Sequence, residues 1–140
     1  MNIPLVTEKQ ILNYCGVKNY QKGKEFLSKH TFYILYKEWM TLKAVCEGTA
    51  APSYSVKVIF DEAGIVYSSC TCYRSNFGPC KHIAGLLSKW HTEPSSFPDR
   101  KQLGTKFKKT RKLELIHLLE KIVDLYPELG NKYTPFMGQA

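Results

Sequence analysis

Hydrophobic periodicity changes twice along the chain, and the changes divide it into segments. Up to about residue 30 the pattern is helical. Thr7-Glu8-Lys9-Gln10 has the form of a capping box, opening a short helix that Gly16 ends. A second helix, about Lys18–Lys29, carries Tyr20, Phe26 and Leu27. The period then shortens to two. Thr31–Lys37 and Met40–Glu47 read as strands, rich in aromatic and β-branched residues, with a loop at Ala50–Ser53 after them. Tyr54, Val56, Val58 and Phe60 alternate on one face of a third strand, Asp61-Glu62-Ala63-Gly64 turns, and Ile65–Cys70 returns. Helical spacing resumes at Cys80–Trp90, with Ile83, Leu86, Leu87 and Trp90 on one face. A last helix spans about Thr110–Tyr126. Leu115, Leu118, Leu119, Ile122, Val123 and Tyr126 form its apolar stripe, Leu113 and Ile116 widen it, and Pro127 and Gly130 stop it. Asn131–Ala140 reads as a tail.

The pattern predicts an α+β fold: a small antiparallel sheet with flanking helices, a hairpin-helix unit and a C-terminal helix. The expected divisions are a helical segment at 1–30, hairpins and finger at 31–92, a basic linker at 93–112, and a helix with tail at 113–140.

Chemistry concentrates at the end of the fourth strand. Cys70, Cys72, Cys80 and His82 fall within thirteen positions, in the order C-x-C, seven residues, C-x-H. Residues i and i+2 of a strand point to one face, so a strand end can present both Cys70 and Cys72. Asn76 and Gly78-Pro79 turn the chain back, and Cys80 and His82 then fall in the first turn of the following helix. Free N–H groups there favour a thiolate. Three thiolates and an imidazole complete a tetrahedral shell for one structural Zn²⁺, with no position open for a substrate water. Buried free cysteines, a disulfide and an iron–sulfur centre are the competing readings. Cys70 and Cys72 are too close in sequence to bridge well, and a single histidine among three cysteines on a small hairpin favours zinc.

This frame, with Pro79-Cys80-Lys81-His82-Ile83-Ala84 closing it, resembles the SWIM-type zinc finger, whose pattern is C-x-C, a variable loop, C-x-H and a helix. Tyr20-Gln21-Lys22-Gly23-Lys24-Glu25-Phe26 is similar to the segment that precedes SWIM hairpins in longer proteins. Cys46-Glu47-Gly48 and Tyr54-Ser55-Val56 resemble the strand pair that leads into the finger. The likeness spans about Gln21–Trp90. Tyr73 stands where many relatives carry proline. SWIM modules occur in chromatin-remodelling helicases, Mutator-like transposases, recombinase-mediator complexes and some ubiquitin ligases. The resemblance therefore implies an adaptor that binds DNA, protein or both, and not an enzyme.

Charge sharpens this picture. The formal net charge is +8, and Arg100, Lys101, Lys106, Lys108, Lys109, Arg111 and Lys112 supply seven positive charges between residues 100 and 112, where no acid occurs. Such a run suits phosphate contact that is salt-sensitive and independent of sequence; a solvated linker or a nuclear-import signal is the plainer reading. No helix here resembles a base reader. No apolar run approaches the ~18–20 residues of a membrane span. Met1-Asn2-Ile3-Pro4 lacks the pattern of a secretory signal, so an intracellular site is expected, nuclear in a eukaryote. Cys15 and Cys46 lie among apolar neighbours and read as buried hydrophobes. Trp39, Tyr33, Tyr36, Tyr54 and Tyr67 read first as packing residues, whereas Tyr73 and Phe77, on the finger loop, are placed to stack nucleobases. His30, His91 and His117 have no ligand spacing.

Two functions follow as expectations. In the first, the finger and the basic segment bind DNA. In the second, zinc is scaffold alone and the Leu115, Leu118, Leu119, Ile122, Val123 stripe docks a protein partner in a recombination, transposition or chromatin complex. A hydrolase finds no support, since no Ser/His/Asp set, phosphate loop or zincin motif is present and the metal set is full.

Overall fold

The protein is described by a computed structural model over residues 2–130, so the expected tail at Asn131–Ala140 lies outside the described residues. The chain forms two compact units, residues 1–101 and 102–140. In the first unit the order is α1 (Glu8–Cys15), α2 (Val17–Lys29), β1 (Phe32–Glu38), β2 (Thr41–Glu47), β3 (Ser53–Asp61), β4 (Gly64–Cys70), a 3₁₀ turn (Tyr73–Phe77) and α3 (Lys81–Thr92). Helix α4 (Arg100–Lys109) begins at its end, and α5 (Lys112–Leu125) lies in the second unit.

The local signals act as expected. Thr7 and Gln10 close a reciprocal capping box on α1: the Gln10 amide donates to Thr7 Oγ1 at 3.2 Å and the Thr7 amide donates to Gln10 Oε1 at 2.8 Å. Asp61 Oδ1 accepts from the amides of Ala63 (2.8 Å) and Gly64 (3.0 Å), fixing the turn that registers β3 against β4. The sheet is wholly antiparallel in the order β1-β2-β3-β4. Leu42, Ala44, Cys46, Tyr54, Val56, Val58 and Phe60 point to its buried face.

Helix α3 is the centre of this unit. It packs on β3 and β4 and also on α1 and α2, and Ile83, Ala84, Leu86 and Leu87 are almost wholly shielded from solvent. Each large side chain so buried contributes about 1.5–3 kcal/mol. Helix α2 approaches α3 at Gly23 and Gly85. A Cβ built on Gly23 would meet the Gly85 nitrogen at 2.7 Å and Ala84 Cβ at 2.8 Å, so glycine is what permits the contact.

The opposite sheet face is less covered than the sequence suggests. Tyr33, Trp39 and Tyr67 are exposed, and only Tyr54 of that aromatic set is in the core. Trp39 holds a left-handed backbone (φ 56°) at the β1–β2 turn, and the Lys101 ammonium sits 3.7 Å from its ring centroid.

The stretch expected as a basic linker is structured. Phe97 is buried with its ring 5.3 Å from that of Trp90, and the Lys37 amide donates to Pro98 O at 2.9 Å. The cations from Arg100 to Lys109 then lie on α4. Sequence reasoning missed this helix because its apolar residues are too few to give a periodic signal. Helix α5 starts and ends within two residues of expectation, and Leu113, Leu119 and Leu125 on it are exposed. Among the described residues, no helix is long and apolar enough to cross a membrane.

Gly23→Ala tests the helix contact. Alanine gains about 1 kcal/mol in helix propensity, but crowding a rigid backbone costs typically 1–3 kcal/mol. A net loss of stability is expected in a denaturant titration, whereas Gly104→Ala on α4, where nothing beyond the adjoining helix backbone and the two chain neighbours lies within 4 Å of the added Cβ, should be neutral or stabilising.

Candidate metal centre

The sheet and α3 bring four side chains to one point. Strand β4 ends at Cys70, whose amide donates to Ser75 Oγ at 3.1 Å. Thr71 prolongs the ladder: its amide donates to Ser55 O (3.1 Å), and the Ser55 amide donates to Thr71 Oγ1 (3.0 Å). Cys72 then caps the 3₁₀ turn, which forms most of the expected turning loop. Gly78 leaves that turn with φ 123°, a region that a side chain would strain. Cys80 sits at the cap of α3 in extended conformation, one residue before the helix, and His82 lies in the first turn. Across the fold, Asn19 Nδ2 donates to both Pro79 O (2.8 Å) and Cys15 O (3.1 Å), tying the finger loop to α1 and α2.

The ligand atoms of Cys70, Cys72, Cys80 and His82 all lie within 4.8 Å of one another. His82 presents Nδ1, which is 3.7 Å from both Cys70 Sγ and Cys80 Sγ. In a tetrahedral Zn²⁺ site with Zn–S of ~2.3 Å and Zn–N of ~2.0–2.1 Å, the sulfur–nitrogen edge is about 3.6 Å. These two edges match that geometry, and with Cys72 Sγ inside the same 4.8 Å the donor set fits one structural zinc ion. The histidine ring is held for this role by Phe26, edge-on at 5.2 Å between centroids, and by Tyr54 at 5.1 Å. Tyr54 is itself fixed, its hydroxyl oxygen accepting from the amides of Thr49 (3.3 Å) and Ala50 (3.0 Å).

Electrostatics show why a dication belongs here. The hydrogen bond from the Cys70 thiol holds Cys80 as a thiolate, with its pKa pushed down to about 4 against the opposing effect of burial; the His82 ring and the Ile83 amide add to the lowering. The same hydrogen bond, and then burial, raise Cys70, while burial chiefly raises Cys72. The pocket thus tolerates one negative sulfur, and further ionisation requires a compensating positive charge. Cys15 and Cys46 are excluded from the cluster. Burial foremost, then the nearby Cys80, push them up to about 12 and about 11, so they stay inert thiols. His91 is likewise spent in the fold, its Nδ1 2.6 Å from Val6 O.

The expected nucleic-acid cations fall in two places. In the first unit, Arg100 donates to Tyr36 Oη (2.8 Å) and faces Glu38 at 3.8 Å, and Lys101 stacks on Trp39. Lys106, Lys108, Lys109, Arg111 and Lys112 belong to the second unit and are exposed. Sequence reasoning missed Asn19, Ser75 and Phe26 as supports of the site. Their partners lie far along the chain or belong to a loop whose turn type was not foreseen, so no local signal marks them.

A strand end and a helix start that share one zinc ion define a small hairpin-helix zinc finger. Residues 54–91, covering nearly all of β3, β4, the 3₁₀ turn and most of α3, match the family model of the SWIM zinc finger. The match does not extend to the earlier segments, Tyr20–Phe26 and Cys46–Gly48, for which a likeness was also expected. No curated protein and no solved structure gives a significant match to the chain.

Two outcomes are expected. Cys72→Ser lowers zinc content below one ion per chain, and since zinc contributes on the order of 10 kcal/mol to small fingers, even a partial loss of about 3 kcal/mol drops the melting temperature by more than ~10 °C. Full zinc occupancy at an unchanged melting temperature would contradict the assignment. Zinc uptake at pH 7 should release about two protons, from Cys70 and Cys72, because Cys80 is already a thiolate. Titration calorimetry in buffers of different ionisation enthalpy counts them, and a value near three would contradict the site's electrostatics. The sign follows: the metal-bound state carries fewer protons, so stability falls as pH falls.

Proposed function

We propose that this protein is a non-catalytic zinc module that binds DNA without sequence preference, through the finger and the Arg100–Lys112 segment. The observation that carries the reading is the run of Lys106, Lys108, Lys109, Arg111 and Lys112, five exposed cations that form no ion pair among the described residues and have no acid in their segment. Five uncompensated cations on a short stretch suit a polyanion that releases counterions when they bind. A filled shell of four protein ligands leaves the metal no open position for substrate, which supports a binding role over an enzymatic one. In a eukaryotic cell the reading places the protein in the nucleus.

A second reading has its own observation. Leu118, Leu119 and Val123 on α5 are exposed at helical spacing, the arrangement by which an amphipathic helix seats in a partner's groove. There the protein is an adaptor, with zinc as scaffold.

Titration of labelled duplex DNA over a salt series separates the two. The DNA reading expects log affinity to fall linearly with log salt. A variant with Lys106, Lys108, Lys109, Arg111 and Lys112 changed to Ser should lose up to about 4.5 in slope if every cation meets a phosphate. Binding that is absent, or indifferent to the variant, favours the adaptor, with a co-purifying protein as its positive sign.

A further inference from the structure

Beside the metal centre, on the side away from the sheet's open face, lies a cleft of about 790 Å³ between α2, the β2–β3 loop and the finger loop. Its floor includes Cys72, Cys80 and His82, and its rim is strongly cationic. Five lysine and arginine residues line it against one acid, Glu25, and that carboxylate is engaged by Lys29 at 3.0 Å. The zinc-bound cluster, with three thiolates on a dication, would subtract one more charge, leaving a clear positive excess. Lys18, Lys22, Arg74 and Lys81 are exposed and form no ion pair among the described residues. Lys18 and Lys22 on α2 stand more than fifty residues before Arg74 on the finger loop and Lys81 at the start of α3, so the concentration of charge is a product of the fold.

The same rim carries two aromatic rings that the core does not use. Tyr73 and Phe77 are 71% and 76% exposed, among the most open large side chains of the unit, and their centroids lie 5.4 Å apart in an edge-on pair. They stand on the 3₁₀ turn held between two metal ligands, so their position is fixed by the zinc site itself. Burying such rings against solvent-exposed bases recovers apolar area that folding left in water. A positive groove edged by fixed aromatic platforms is the arrangement that takes single-stranded nucleic acid: the cations follow the backbone, and the rings stack unpaired bases. A duplex offers its bases already stacked and gains nothing from the rings.

We propose that this cleft binds single-stranded nucleic acid, with Lys18, Lys22, Arg74 and Lys81 on phosphates and Tyr73 and Phe77 stacked on bases. The inference rests on the DNA-binding reading above but places the contact partly on α2, outside the family match, and names the strand form.

Fluorescence anisotropy with the zinc-loaded full chain tests it, using oligo-dT of fifteen nucleotides and a duplex of equal length as probes. Tyr73→Ala with Phe77→Ala should weaken oligo-dT binding by about tenfold or more and leave the duplex unchanged. Lys18→Ser with Lys22→Ser should cut the oligo-dT salt slope by about 1.4. All four residues are exposed, and zinc content with far-ultraviolet circular dichroism verifies that each variant is folded. If both variants bind oligo-dT as the parent does while the five-site basic variant loses it, the cleft is overturned and the DNA reading stands. If no variant and no parent binds either probe, both fall. Polyglutamate that displaces oligo-dT at equal charge, with the aromatic variant indifferent, would make the cleft an acidic-protein surface and overturn the proposal.

Discussion

One tetrahedral junction holds the finger unit together: the end of β4 and the start of α3 are joined through Cys70, Cys72, Cys80 and His82, whose ligand atoms converge within 4.8 Å. The sheet buries one face against the helices, and metal ligation adds folding free energy to that packing. The junction also fixes α3, and α3 is the element on which α1, α2 and the sheet all pack. Its glycine contact with α2 at Gly23 and Gly85 carries the constraint outward to the far helix layer. Displacing the helix start would therefore disturb three packing surfaces at once.

The junction's protonation chemistry agrees with this role. Of the three sulfurs Cys80 ionises most readily, because the hydrogen bond from the Cys70 thiol, with the His82 ring and the Ile83 amide, lowers its pKa against burial. Three thiolates so close together require a dication. The supporting residues add rigidity without adding charge: Ser75 holds the Cys70 amide, Asn19 holds the loop through Pro79, and Phe26 and Tyr54 hold the imidazole. A site braced in this way, with four protein ligands, has the donor set of a structural zinc centre.

Much of this was legible in the sequence, and the exceptions have physical causes. The capping box at Thr7, the alternation through Tyr54–Phe60, the Asp61 turn and the C-x-C, C-x-H pair are local signals, and each governs the element it predicts. Helix α4 was not legible because basic residues make up half of it and Phe107 is its one exposed aromatic; in the stretch before it, expected as linker, Phe97 enters the core. The open outer face of the sheet could not be foreseen either, since alternation shows that one face is buried but not what covers the other. Most instructive is the cleft. Lys18 and Lys22 on α2 and Arg74 and Lys81 around the finger loop are ordinary surface cations in sequence, and only the packing of α2 against α3 collects them beside Tyr73 and Phe77.

The central claim is that a single zinc ion with a three-sulfur, one-nitrogen shell joins β4 to α3. X-ray absorption at the zinc edge on the purified protein reads that shell directly. The account predicts three sulfurs at ~2.3 Å and one imidazole nitrogen at ~2.0–2.1 Å. A four-sulfur shell, which would require Cys15 or Cys46 to replace His82, or a shell with water oxygen in place of a protein ligand, would contradict it.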